Sequence, residues 1–153
     1  MSNGPIPTVL IIESRFYEDI TDQLVSGAVQ AITAVGYNFR RLEVPGILEI
    51  PAAMRYVVRS QELRSTPLRV DGFVTLGCAI KGGTDHYDHV CREAMRGVQD
   101  MALQYTLAVG NGILSVHTLA QAEERAGVDR RNFGGQVARA CLRMMALKHE
   151  LGL

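Results

Sequence analysis

Lys81-Gly82-Gly83-Thr84-Asp85-His86 follows an apolar run and opens a stretch of helical periodicity, an order that suits an anion site beside a proton carrier. Gly82 and Gly83 are expected to adopt backbone angles barred to other residues, so that successive amides point at one phosphate. The following helix would add the positive end of its dipole, Thr84 a further hydrogen-bond donor and Lys81 a charge. His86 lies in the same few residues, and an imidazole, with an ordinary pKa of roughly 6.5, both takes and gives protons near neutrality. The plainer alternative is a glycine turn with a capping Thr or Asp and a surface histidine. A second constellation, His86-Tyr87-Asp88-His89-Val90-Cys91, concentrates metal-capable side chains. On a helix, however, Asp88 points away from His86 and His89, and no other cluster supplies further ligands, so no metal is expected.

These residues need a scaffold, and the chain's periodicity supplies one. Thr8 to Ile12 reads as a first strand, with Ile20, Leu24, Ala28, Ala31, Ile32 and Val35 following at helical spacing, Asp19 placed to cap the helix and Gly36 to end it. Asn38 to Val44 reads as a second strand, broken by Pro45-Gly46, and Ile50 to Leu63 as a helix with Pro51 in its permitted first turn. Val70 to Ile80 is apolar enough for a parallel strand buried on both faces, and Val90, Ala94, Val98, Met101 and Ala102 stripe the helix after it. Leu107 to Leu114 gives a fourth strand, and Thr118 with Gln121 forms a capping box for a short helix ending at Gly127. A last helix, from Gly134 to Leu151, is expected to bury Val137, Ala138, Cys141, Met145 and Leu151. Alternating strands and helices predict an α/β sandwich on a mainly parallel sheet, whose ligand sits beyond the carboxyl ends of the strands. Ser14-Arg15-Phe16, Pro45 to Glu49 and Lys81 to His86 are expected at those ends, with Asn111-Gly112 within or after the fourth strand.

Composition narrows the partners. The 153 residues amount to one domain, spanning 1–153, and 16 basic residues balance 16 acidic ones, which argues against nucleic acid or an anionic membrane. Cys78, Cys91 and Cys141 form no C-x-x-C pair and read as reduced, buried thiols of a cytoplasmic protein. The opening residues carry no secretory pattern, and no apolar run approaches the length of a membrane span. His117 and His149 are expected at the surface.

Taken together, Arg15-Phe16, Val44 to Pro51, Gly82 to Asp88 and Glu124-Arg125-Ala126-Gly127 look like the motif series of the lumazine synthases, in order and spacing, from about Val9 to Leu147. The resemblance implies a flavodoxin-like three-layer sandwich with a four-stranded sheet and helices on both faces. It implies condensation of 5-amino-6-(D-ribitylamino)uracil with 3,4-dihydroxy-2-butanone 4-phosphate in riboflavin biosynthesis, without cofactor or metal. By the same resemblance, His86 is the catalytic proton carrier, Gly83, Thr84 and Arg125 hold the phosphate, and Phe16 stacks on the pyrimidine. Glu49 with Gly46, Ile47 and Leu48 would bind the ribityl chain, and Cys78, Ala79 and Ile80 the uracil edge. Asn111 aligns with a position that other members donate across a subunit boundary. A homopentamer is implied, in some members stacked into decamers or closed into shells, with a functional link to riboflavin synthase; the turn from Gly127 to Gly134 carries no insertion that bears on the choice.

Read by residue type alone, Phe16 could equally be core, Glu49 a charge at a helix start and Arg125 a cation at a helix end. The chain also departs from the family pattern. Phe133, between Asn132 and Gly134, stands where the family usually has Lys, Asn111 replaces a common aromatic, and Tyr17 follows Phe16 where Asn is frequent. Two further readings stand beside the enzyme: a lumazine- or flavin-binding or shell-forming relative with little turnover, and a generic phosphate-binding domain of flavodoxin type. Retention of His86 favours the enzyme.

Overall fold

A computed structural model describes residues 4–153. Strands β1 (Thr8–Ser14), β2 (Asn38–Val44), β3 (Gly72–Ile80) and β4 (Val109–Val116) form one wholly parallel sheet in the order β2-β1-β3-β4. The helices are α1 (Glu18–Ala34), α2 (Ile50–Glu62), α3 (His86–Tyr105), α4 (Leu119–Ala126) and α5 (Phe133–Glu150). The chain steps outward from β1 to β2, then crosses back over β1 to β3. Right-handed crossovers therefore place α1 on one face and α2 and α3 on the other.

Alternation along the strands sorts the core into two layers. Val9 and Ile11 of β1 meet Leu24, Ala28 and Ile32 of α1 and Val137, Ala138 and Cys141 of α5. Leu10 and Ile12 meet Met54 and Val57 of α2 and Ala94 and Val98 of α3. The flavodoxin-like three-layer sandwich is thus borne out, and its strand order reverses between β1 and β3, where such folds open a crevice. The α1–α5 contact is close because Gly134 has no side chain: a Cβ there would collide with the backbone of Leu24. Asn132, in the left-handed conformation, caps α5 by accepting from the Gly135 N–H at 3.3 Å.

Several expectations hold and several shift. Gly36, at φ +81°, ends α1 with the Gly36 N–H donating to Thr33 O and the Tyr37 N–H to Ile32 O, a Schellman arrangement. Thr118 caps α4 by accepting from the Gln121 N–H at 3.1 Å. Asp19 does not cap α1: Tyr17 occupies that position without a side-chain bond, and Thr21 fixes the helix start by donating its hydroxyl to Ser14 O at 2.8 Å. β3 begins at Gly72 rather than Val70, whose N–H is taken by the Gln61 side chain. β4 begins at Val109 rather than Leu107, because the Leu107 N–H still closes the end of α3 on Ala102 O. Val35 and Leu151 are exposed, the first at the C-terminal cap of α1 and the second past the last core contact of α5 at Met145. Cys91 is half-buried rather than buried, its sulfur accepting from Ser115 Oγ at 3.4 Å.

Candidate active site

Three chain reversals converge at the β1/β3 crevice. They border a cavity of about 440 Å³ lined by Ser14 at the end of β1, Phe16 and Tyr17 after it, Gly46 to Glu49 after β2, Cys78 to Ile80 at the end of β3, Gly82 and Thr84 in the loop before α3, and His86, Tyr87 and Val90 in its first turns. The β2 turn is a 3-10 turn, Ile47–Glu49, seated on the sheet by Ile47, which is buried. Gly77 makes that seating possible, since a Cβ there would lie 2.7 Å from Ile47. Glu49 sits at the N-terminal end of α2 but caps nothing; its carboxylate folds back over Gly46, with Oε2 3.0 Å from where a Gly46 Cβ would be.

Phe16 is not core. It is 73% exposed, its ring edge-on to Tyr17 with centroids 5.0 Å apart, so its other face is open. A bare aromatic at the lip of a partly apolar cavity is a platform for a flat ring. Opposite it, His86 is the first residue of α3 and is exposed, its N–H meeting Thr84 Oγ1 at 3.4 Å. With Thr84 Oγ1 accepting that bond, the hydroxyl proton is left to donate outward. The helix start adds unpaired N–H groups beside it.

The glycines act differently from expectation. Neither Gly82 nor Gly83 takes a positive φ, and a Cβ on either would touch nothing within 4 Å. Neither conformation nor packing inside the chain requires glycine, so what they provide is an uncovered backbone N–H on an exposed loop. Gly82 lines the cavity and Gly83 does not.

Buried groups around the cavity are held neutral. Burial, with Cys91 nearby, pushes the Cys78 thiol up to about 12, so it is an apolar wall rather than a nucleophile. Burial, with Cys91 and Asp88 adding to it, also raises the Tyr87 phenol. Among the described residues no three His, Cys, Asp or Glu side chains converge as a metal site would need. A larger hollow of about 720 Å³ lies at the start of α1 against α4, but Glu18, Asp19, Asp22, Glu123 and Asp129 line it. Such a surface repels a phosphate, whatever its size.

Two predicted residues stand apart from the cavity within one chain. Arg125, half-buried in the last turn of α4, borders a separate depression with Ala120, Gln121, Glu124 and Arg131. Asn111 lies inside β4, one of the two placements expected for it, accepting from Thr75 Oγ1 at 2.9 Å and from the Ile113 N–H at 3.2 Å. Sequence reasoning placed Ser14 at the ligand end of β1 without giving it a role, and missed Tyr17 and Val90 as lining and Tyr87 as the partner ring beside His117 at 6.5 Å. An aromatic one residue into a helix that opens on a site was the available signal for Tyr87. Phe133, the departure from a common Lys, packs half-buried against the α1–α5 core.

Fold and site together define a flavodoxin-like protein whose β1/β3 crevice brings an open aromatic ring, a bare backbone turn and a helix-start histidine to one cavity. The family model for 6,7-dimethyl-8-ribityllumazine synthase matches residues 7–149. A 6,7-dimethyl-8-ribityllumazine synthase of Paramagnetospirillum magneticum is 54% identical over 145 residues, covering 95% of this chain and 97% of the relative. Another, from Bartonella tribocorum, is 43% identical over 146 residues, covering 95% and 93%. The chain belongs to the 6,7-dimethyl-8-ribityllumazine synthase family, a family of enzymes.

Proposed function

We propose that this chain is a transferase of riboflavin biosynthesis, joining 5-amino-6-(D-ribitylamino)uracil to 3,4-dihydroxy-2-butanone 4-phosphate to give 6,7-dimethyl-8-ribityllumazine. The observation that carries this reading is the convergence, around one cavity, of an open aromatic platform, a carboxylate beside bare backbone, a strand end and a histidine next to a hydroxyl. The pyrimidine stacks on Phe16 and reads the backbone of Cys78, Ala79 and Ile80, while Glu49 and the Gly46, Ile47 and Leu48 backbone take the ribityl hydroxyls. Thr84, the Gly83 N–H and Arg125 hold the phosphate, Arg because its planar fork meets two oxygens at once.

The amine attacks the ketone, water leaves as the imine forms, phosphate is eliminated, and ring closure releases a second water. No oxidant or reductant enters that balance. Each step moves a proton, and His86 is the group placed to carry it, a contribution on the order of 10²- to 10⁴-fold. Holding two reactants in contact supplies the remainder. The carboxyl group of Glu49 is assigned to binding, because it faces the turn backbone rather than the loop that bears His86.

Arg125 and Asn111 belong to this site only if a neighbouring chain supplies them, and their distance from the cavity within one chain supports a homo-oligomer, a pentamer or a larger assembly of pentamers. The free cysteines are in keeping with our reading of a cytoplasmic protein, and the proposed product makes a functional link to riboflavin synthase, its consumer, part of that reading. No helix among the described residues is long and apolar enough to cross a membrane. The test is turnover with both substrates, read by the absorbance and green fluorescence of the lumazine. Tight binding of a lumazine without turnover at any substrate concentration overturns it in favour of a binding relative.

A further inference from the structure

One charged cluster near the cavity has no place in the chemistry above. Glu13, the penultimate residue of β1, is 2% exposed, yet it is a carboxylate. Its Oε1 accepts from Arg15 NH1 at 3.0 Å and from Arg41 NH2 at 2.7 Å, and its Oε2 from Arg41 Nε at 2.9 Å. Arg15 also pairs with Asp22 on α1. Two carboxylates and two guanidiniums thus close a chain from β2 through β1 to α1; hydrogen bonding to Asp22 and then Glu13 raises the pKa of Arg15, and hydrogen bonding to Glu13 raises that of Arg41.

The cluster lies at the root of both turns that flank the pyrimidine end of the cavity. Arg15 immediately precedes Phe16, and Arg41 lies on the strand that runs out into Pro45 to Glu49. A shallow groove lined by Arg15, Phe16, Glu43, Val44 and Pro45 separates the two turns. Phe16 has little of its own to hold it, being 73% exposed with only the edge of Tyr17 against its ring. Its direction is therefore set by the backbone it hangs from. That backbone is fixed by Arg15, which is fixed by Glu13 and Asp22.

We infer that Glu13 is a positioning residue for the pyrimidine, clamping the Phe16 turn and the Gly46–Glu49 turn at one separation through Arg15 and Arg41. The inference rests on the proposed roles of Phe16 and Glu49. A buried carboxylate suits this task because its bidentate pairing with Arg41 fixes angle as well as distance, which an apolar contact does not. The phosphate loop, anchored on β3 and α3, lies outside the clamp, so the two substrates should feel it differently.

Glu13→Gln removes the charge but leaves two guanidiniums beside a buried amide, so that variant could fail to fold. Arg41→Met is the practical test, since Arg41 is half-exposed and its loss opens only the β2 link. In steady-state assays it should raise KM for the ribitylaminouracil roughly five- to tenfold, leaving KM for the butanone phosphate and kcat within about twofold. Asp22→Asn, cutting the α1 link, should move the same KM in the same direction by less.

A double-mutant cycle separates positioning from general loosening. Phe16→Ala alone should raise the pyrimidine KM, and adding Arg41→Met to it should raise that KM little further, because no platform remains to be aimed. Additive losses, or equal weakening of both substrates by Arg41→Met, overturn the clamp. If Phe16→Ala alone leaves the pyrimidine KM unchanged, the stacking assignment fails, and the clamp falls with it.

Discussion

At the scale of single residues, the proposed site divides a group that would move protons from groups that would hold substrate. His86→Ala should lower kcat by 10²-fold or somewhat more while a product analogue binds with nearly unchanged affinity, because the imidazole acts on protons rather than on ground-state contacts. Single-turnover rates and a titration measured on the same preparation check both halves. The loop glycines allow a cleaner test than is usual. Since Gly82 and Gly83 have no strained φ and open space beside them, Gly83→Ala should leave the melting temperature within about 1–2 °C while raising KM for the butanone phosphate, if the bare N–H meets the phosphate. A fall in stability instead would restore the conformational role that the sequence suggested. The two deeply buried thiols predict a pH effect of definite sign. Cys78 and Cys141 are each pushed up to about 12 by burial, against about 8.5 in an unfolded chain. The folded state holds these protons more tightly, so stability is full below about pH 8.5 and is lost as pH rises from there toward 12. Urea midpoints at pH 8 and pH 10.5 should show the decline, and Cys141→Ala should make it shallower.

At the scale of elements, what could be read from sequence was what local chemistry decides. The apolar period of β1 and β3, the glycine that ends α1 and the Thr118 cap of α4 each depend on residues within a turn or a strand, and each stands where the sequence put it. The misjudged edges depend on distant partners: the Gln61 side chain took the N–H of Val70, and the end of α3 took that of Leu107. The same distinction applies to the site. Three of the four expected segments meet at the β1/β3 crevice because the crossover that builds it follows from strand order. Asn111 lies elsewhere because it sits inside β4, where the Leu107 to Leu114 reading also puts it, with its side-chain oxygen taken by Thr75. The network around Glu13 was not legible at all, since a lone acid ending an apolar strand looks like a surface residue until Arg41 from the neighbouring strand covers it. One packing feature gives a direct prediction. Gly134→Ala would drive a methyl into the Leu24 backbone, so α1 and α5 must separate, and the cost should be about 1–3 kcal/mol of overpacking strain, read from urea unfolding. Gly82→Ala on the exposed loop, which meets nothing, is the control and should cost far less.

At the scale of the whole molecule, the cavity of one chain has no arginine in its lining. A phosphate set against Thr84 and the loop N–H groups would be held more tightly by a permanent cation, and Arg125 lines a different hollow of the same chain. If a neighbour in a closed ring supplies it, light scattering should detect no active monomer, and Arg125→Ala should raise KM for the butanone phosphate roughly ten- to a hundredfold while affecting the pyrimidine less. Sharing between chains has a sharper consequence. A His86→Ala protein has sound arginines but no proton carrier, and an Arg125→Ala protein has the reverse defect. In a head-to-tail ring each cavity takes one arginine from one neighbour, so dissociating and reassociating an equal mixture should rebuild about a quarter of the sites with both groups native. Assayed at butanone phosphate too low to saturate the arginine variant, the mixture should then be several times more active than the mean of its two components. Activity equal to that mean would place Arg125 in its own chain's site or outside the chemistry, and Lys81, exposed on the phosphate loop, would become the cation to test.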